Sequence, residues 1–151
     1  TINIAGSVDG YTGANGGLVA VAGSVGGDAL FFETATGGSG SYVVNVLSGA
    51  NLRGGGGGGG GGGQRGNRSS DGGKGCLGNN NFGSYGSQGS AGGFGVAGST
   101  GGSGSYGGGN SGCEIQVPGA GGSGGAAGFA IRKNSRTVTL NNSGTVAGST
   151  A

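Results

Sequence analysis

Apolar and polar residues alternate at the two ends of this chain, and between them lies a long stretch with too few side chains to carry any pattern. Thr1-Ile2-Asn3-Ile4 alternates as a half-buried strand does and stops at Ala5-Gly6-Ser7. Leu18-Val19-Ala20-Val21-Ala22, set between Gly16-Gly17 and Gly23-Ser24, predicts a second strand. Ala29-Leu30-Phe31-Phe32-Glu33-Thr34 predicts a third and bulkier one, and Tyr42 to Leu47 a fourth. Towards the other end Thr137-Val138-Thr139-Leu140 alternates, Asn141-Asn142-Ser143-Gly144 reads as a turn, and Thr145-Val146-Ala147 resumes. No window places apolar residues at helical spacing behind a cap, so essentially no α-helix is expected. Two of these pieces echo each other: Val44 to Gly54 and Val138 to Gly148 both run strand, Ser-Gly turn, shorter strand, glycine. As a pair of β-turn units they would clamp the intervening chain at its entrance and exit.

That intervening chain begins with ten consecutive glycines, Gly54 to Gly63. Glycine loses more backbone freedom on folding than any other residue. Fixing a residue costs about 1–2 kcal/mol, and this run has no side chain to bury in return. Taken alone it is a flexible linker. Its other option is polyglycine II, a left-handed threefold helix rising about 3.1 Å per residue with no internal hydrogen bonds. Amides and carbonyls then bond outward to helices packed alongside, with weaker Cα–H···O contacts between them. Only glycine lets backbones approach so closely.

Glycine-dense pieces recur at 72–78, 83–93, 95–109 and 119–128. They alternate with the polar piece 64–71, with Asn79-Asn80-Asn81-Phe82, and with 110–118, which holds the single proline. The alternation predicts glycine helices laid back and forth with loops at both ends, and Gly54, Gly58, Gly63, Gly121 and Gly125 as scaffold positions. The fold class expected is all-β plus polyglycine II. Three sections follow: a small β module (1–53), a glycine-rich section with loops (54–128) and a C-terminal β segment (129–151).

Composition narrows the function. With 49 glycines in 151 residues, any apolar core must be local. Charged residues are 8% of the chain, against about 25% in typical soluble domains, which predicts a neutral polar surface. The net charge of +2 is lopsided, since residues 1–52 carry Asp9, Asp28 and Glu33 and every basic residue lies from Arg53 onward. The basic charge is too dilute to predict a nucleic-acid partner. No apolar stretch approaches the roughly 18 residues of a membrane span, and no signal peptide is evident, so a soluble chain is expected. Thr1 in place of Met is consistent with processing or with a fragment. Catalysis is not expected, because there is no histidine and the five carboxylates are scattered. The glycine run is not followed by the Gly-Lys-Ser/Thr of a phosphate loop. Cys76 and Cys113 without histidine make no zinc site; they form either an extracellular disulfide or two isolated thiols. No cofactor or metal is expected.

Three stretches carry a resemblance. Ser48-Gly49-Ala50-Asn51-Leu52-Arg53 leads directly into the glycines, Gly124-Gly125-Ala126-Ala127-Gly128-Phe129-Ala130-Ile131 closes the section, and Val138 to Gly148 completes the order. In this order the chain, over roughly residues 44–151, resembles the glycine-rich distal proteins of tailed-bacteriophage fibres, including the tip adhesins of T-even-like phages. The resemblance implies polyglycine II helices supporting loops that contact a bacterial surface protein or glycan, outside the cell. Carried over position by position, the receptor-binding candidates are Arg65, Asn67, Arg68, Asn79, Asn80, Asn81, Phe82, Tyr85, Phe94, Tyr106 and the 113–117 insertion. Exposed aromatics and arginines concentrate binding energy at interfaces, although Phe82, Phe94 and Tyr106 could equally cover the sides of the lattice. The competing function is a structural subunit of an extracellular filament or sheath, joined to identical subunits through strand edges and polyglycine contacts. An ice-binding surface would need a regular threonine array, and Thr137 with Thr139 is too little.

Overall fold

The computed structural model describes residues 1–17, 19–33, 40–63, 68–69, 84–105, 114–115 and 118–151. Among the described residues there is no helix, and short strands form small, mostly parallel sheets. β1 (Ile2–Ile4) and β2 (Ser7–Asp9) are joined by Ala5-Gly6 into one strand–turn–strand rung. β4 (Ser41–Val46) with β5 (Asn51–Arg53) makes a second rung, and β9 (Thr137–Asn142) with β10 (Thr145–Ala147) a third. The rungs stack in parallel, giving the sheets β1-β4-β9 and β2-β5-β10. Ile2, Val44 and Leu140 share one register position, as do Asn3, Asn45 and Asn141, and Val8, Leu52 and Val146.

Alternation decides which side chains of a rung turn inward. Ile4, Val44, Val46, Ala50 and Leu52 are buried there together with Phe32, Ala130 and Ile131, and Ile2, Val8, Leu140 and Val146 pack around them. β3 (Leu30–Phe31) and β8 (Ile131–Arg132) form a separate parallel pair, and the chain after β10 bridges to it at Ile131↔Thr150. The Phe32 and Tyr42 rings meet with centroids 4.7 Å apart. Among the described residues this is the one apolar core, local as the composition requires.

Parallel strands need long connections between them. Here the connections are glycine-rich excursions that leave the stack and return to it. The run 54–63 continues β5 and is surrounded by other extended passes. Gly13 and Gly16 donate to the carbonyls of Gly56 and Gly59, so pass 10–17 runs parallel to the run. Gly55, Gly58 and Gly61 donate to Gly27, Ser24 and Val21 of the antiparallel pass 21–27, and accept from Gly128, Gly125 and Gly122 of the antiparallel pass 119–128. Gly57, Gly60 and Gly63 donate to Val96, Ser99 and Gly102 of the parallel pass 96–104, and accept from Gly92, Gly89 and Gly86 of the antiparallel pass 86–93. Each partner pass is met at every third residue of the run. Every residue from Gly54 to Gly63 is buried, and a Cβ on any of them would lie 1.8–2.1 Å from a backbone carbonyl oxygen. Gly121 and Gly125 are equally confined, each 2.0 Å from such an oxygen.

Several expectations change. Leu18–Ala22 is not a strand over its described part. Val19 and Ala20 take left-handed φ values of 75° and 54° and turn the chain from pass 10–17 into pass 21–27. Those residues therefore belong to the glycine layers and not to a separate β module. The bulky third segment is a strand only at Leu30–Phe31, and Thr34 lies outside the described residues. The echoing units at the entrance and exit of the glycine section lie side by side, with Ile2–Asp9 as a third rung. Their second strands align as the echo suggests, Leu52 with Val146. Their first strands are offset by two residues, since Val44 pairs with Leu140 and not with Val138. The cause is the turn: Leu47 to Ala50 is two residues longer than Ser143-Gly144.

Candidate functional site

The glycine passes run between two ends. The proximal end is the β stack, where pass 86–93 turns into 96–104 through Phe94-Gly95, with Gly95 at a φ of 69°. At the distal end the short turn of Val19 and Ala20 stands beside the roots of the chain's two long insertions, 64–83 and 106–118. Gly86 donates to Gly63 (2.9 Å), Ser105 to Ser84 (2.9 Å) and Gly104 to Gly119 (3.1 Å), so both insertions leave and return at one small patch. Ser84 and Ser105 also share a hydroxyl contact of 2.8 Å. Beyond the roots, the backbones of β6 (Arg68–Ser69) and β7 (Glu114–Ile115) pair antiparallel, Arg68 opposite Ile115, which ties one insertion to the other.

Among the described residues, no pass bonds to the run between 10–17 and 86–93, and side chains bridge that side. Asn15 Oδ1 accepts from the Gly59 amide at 2.7 Å, and Gln88 Nε2 donates to the Gly16 carbonyl at 2.6 Å. Where this groove opens at the distal end it widens into a pocket of about 290 Å³ lined by Gly17, Val19, Gly62, Tyr85, Gly86 and Gln88. Tyr85 is half exposed there. A β-branched residue with positive φ is strained, and such strain gathers at functional positions; Val19 on the pocket wall is one.

The residues expected to bind a receptor separate accordingly. Tyr85 stands at the distal roots, and the backbone of Arg68 lies in the paired insertions. Phe94 is at the opposite end, with the Arg53 guanidinium 4.0 Å above its ring, and it does not join the distal group. Arg65, Asn67, Asn79, Asn80, Asn81, Phe82 and Tyr106 lie outside the described residues, as do Cys76 and Cys113. Asn15, Val19 and Gln88 were missed by reading side-chain alternation. A signal for them did exist, in glycines spaced by three: Gly10, Gly13 and Gly16, then Gly86, Gly89 and Gly92. That spacing marks the residues whose backbone must touch the run.

Among the described residues, the ion pairs lie at the proximal end. Arg53 makes a two-pronged contact with Asp9, 2.8 and 2.7 Å, between neighbouring rungs, and these hydrogen bonds hold the Asp9 carboxyl below its ordinary pKa. Arg132 likewise grips Asp28, which also accepts from the Phe129 amide at 2.9 Å. Burial, the largest single influence, pushes the Asp28 pKa up. The hydrogen bonds from Arg132 and Phe129, with the guanidinium charge, outweigh it and leave the pKa lowered. Each arginine also lies over a phenylalanine, Arg132 over Phe129 at 4.6 Å. Arg53 thus ties β5 to β2 and to the turn at Phe94, and Arg132 ties β8 to Asp28 at the end of pass 21–27. Among the described residues, no group of three or more His, Cys, Asp or Glu side chains comes together to hold a metal ion, and no helix is long and apolar enough to cross a membrane.

Comparison with protein-family models, with curated proteins and with solved structures gives no match.

Proposed function

We propose that this chain is a receptor-binding adhesin of the phage tail-fibre type, in which polyglycine II passes form a rigid stalk and the two insertions at its distal end contact a bacterial surface protein or glycan. The reading rests on where the insertions are rooted: both leave and return at one patch, at the end away from the β stack. A stiff scaffold that fixes the roots of two loops lowers the ordering cost of binding. Exposed scaffolded loops are also where binding residues concentrate. The polyglycine II assignment is supported by the recurrence of each partner pass at every third residue, the repeat of that helix. Backbone angles near −75° and +145° are expected for 54–63, none of whose glycines takes a left-handed φ, and amide exchange in that run should be slow.

Adsorption of the purified chain to bacterial cells tests the function. Truncating a true anchor costs about 2 kcal/mol or more, so Phe82→Ala and Arg68→Ala should each weaken adsorption at least about thirtyfold while melting unchanged. Phe94→Ala, at the other end, should adsorb like the parent. Normal adsorption by both distal variants would overturn the reading.

A further inference from the structure

The three-rung stack is open on both sides, and its two open sides are complementary. Among the described residues, β1 and β9 each pair on one side only, as do β2 and β10. Along the shared register position the asparagines form a ladder with a direction. Asn141 Nδ2 donates to Asn45 Oδ1 at 2.8 Å, and Asn45 Nδ2 donates to Asn3 Oδ1 at 2.7 Å. The ladder therefore ends in a spare donor, Asn3 Nδ2, on one open side and a spare acceptor, Asn141 Oδ1, on the other. The turns of the outer rungs also match, since Ala5-Gly6 and Ser143-Gly144 both join their strands with two residues. Only the inner rung has the longer turn. Neither edge carries a proline, and Asp9 is the sole charge, already held by Arg53. These are the features whose absence normally guards an edge strand.

We propose that copies of this chain add head to tail through these edges, β9–β10 of one copy on β1–β2 of the next, with Asn3 donating to Asn141 across the joint. Leu140 then lies beside Ile2, and Val146 beside Val8, repeating the register already made twice within the chain. A heterologous contact of this kind extends without closing. At about 4.8 Å per strand, three rungs advance the stack by roughly 14 Å per copy. The stacking direction lies across the glycine passes, so every copy points its distal insertions to the same side. A row of adhesins gains avidity without any new receptor contact.

The test is sedimentation velocity of the 1–151 chain under reducing conditions across a concentration series, with electron microscopy of the heavy species. The parent should grow in mass with concentration and form rows. Asn3→Asp keeps the oxygen that accepts from Asn45 and removes only the spare donor, placing a charge at the joint. It should melt like the parent and need at least about tenfold higher concentration to assemble, the equivalent of one hydrogen bond lost. A parent that stays monomeric at all concentrations, or an Asn3→Asp chain that assembles like the parent, overturns the proposal. Neither result bears on adsorption by single copies.

Discussion

At the scale of single residues, space around the backbone decides what each glycine tolerates. A Cβ on Gly58 would sit 1.9 Å from the Ala14 carbonyl oxygen, whereas one on Gly93 would meet nothing within 4 Å. Gly58→Val should therefore unfold the chain or lower its melting temperature severely, because the obstruction is backbone on every side. Gly93→Ala should leave stability unchanged or raise it by about 0.4–1 kcal/mol through the unfolded state. Thermal melts of the pair check both signs. Asp28 supplies a pH dependence. Its folded-state pKa is lowered, so the folded form binds fewer protons than the unfolded chain. Its contribution is complete above the ordinary carboxylate pKa of about 3.9 and is lost as pH falls through the lowered value. Asp28→Asn should be less stable than the parent near neutrality and lose less stability on acidification, read from melts between about pH 2 and 7.

At the scale of elements, the stack is held by its inward stripe and by the asparagine ladder on its outer face. Leu52 is fully buried at the centre of the middle rung, between Val8 and Val146. Leu52→Ala should cost about 2–5 kcal/mol, measured by denaturant unfolding. Asn45 both gives and accepts a ladder bond, but it is exposed, so Asn45→Ala should cost no more than about 1–2 kcal/mol in the same assay. A larger loss at Asn45 than at Leu52 would mean that polar stacking, and not the apolar stripe, holds the rungs. The turns matter less to the core than to register. Gly49, at a φ of 79°, lets the middle rung carry its two extra residues without shifting Asn51 against Ser7 and Thr145.

At the scale of the whole molecule, the chain has a cross-linked base, a backbone-bonded shaft and a loop-bearing tip. The base has side-chain packing and ion pairs, and the shaft has amides and carbonyls. Cooperative unfolding should therefore begin with loss of the shaft's inter-pass bonds when a pass is wedged apart, and hydrogen exchange of Gly57 to Gly61 should accelerate in Gly98→Val, whose Cβ would strike the Gly58 carbonyl oxygen. Unaltered exchange there would mean that pass 96–104 does not brace the run. Tip variants such as Phe82→Ala should leave that exchange untouched while changing adsorption.

The sequence by itself determined that the described residues are β-rich without helix, that any apolar core must be local, and that the ten-glycine run must be ordered by hydrogen bonds to its backbone. These follow from local properties: alternation, glycine placement and the absence of side chains to bury. The strand positions Ile2–Ile4, Tyr42–Val46 and Thr137–Leu140 were legible for that reason, whereas Asn141 and Asn142, expected in a turn, extend β9. Tertiary structure alone decided which passes touch the run, because a backbone amide carries no label naming its partner. It also decided that Val19 and Ala20 turn the chain between two glycine passes, where the bonds between pass 21–27 and the run outweigh strand propensity. The stacking of three rungs, the two-residue shift between Val44 and Leu140, and the separation of Phe94 from Tyr85 depend on turn lengths and on the direction of each pass. Those become fixed only when distant parts of the backbone bond to one another.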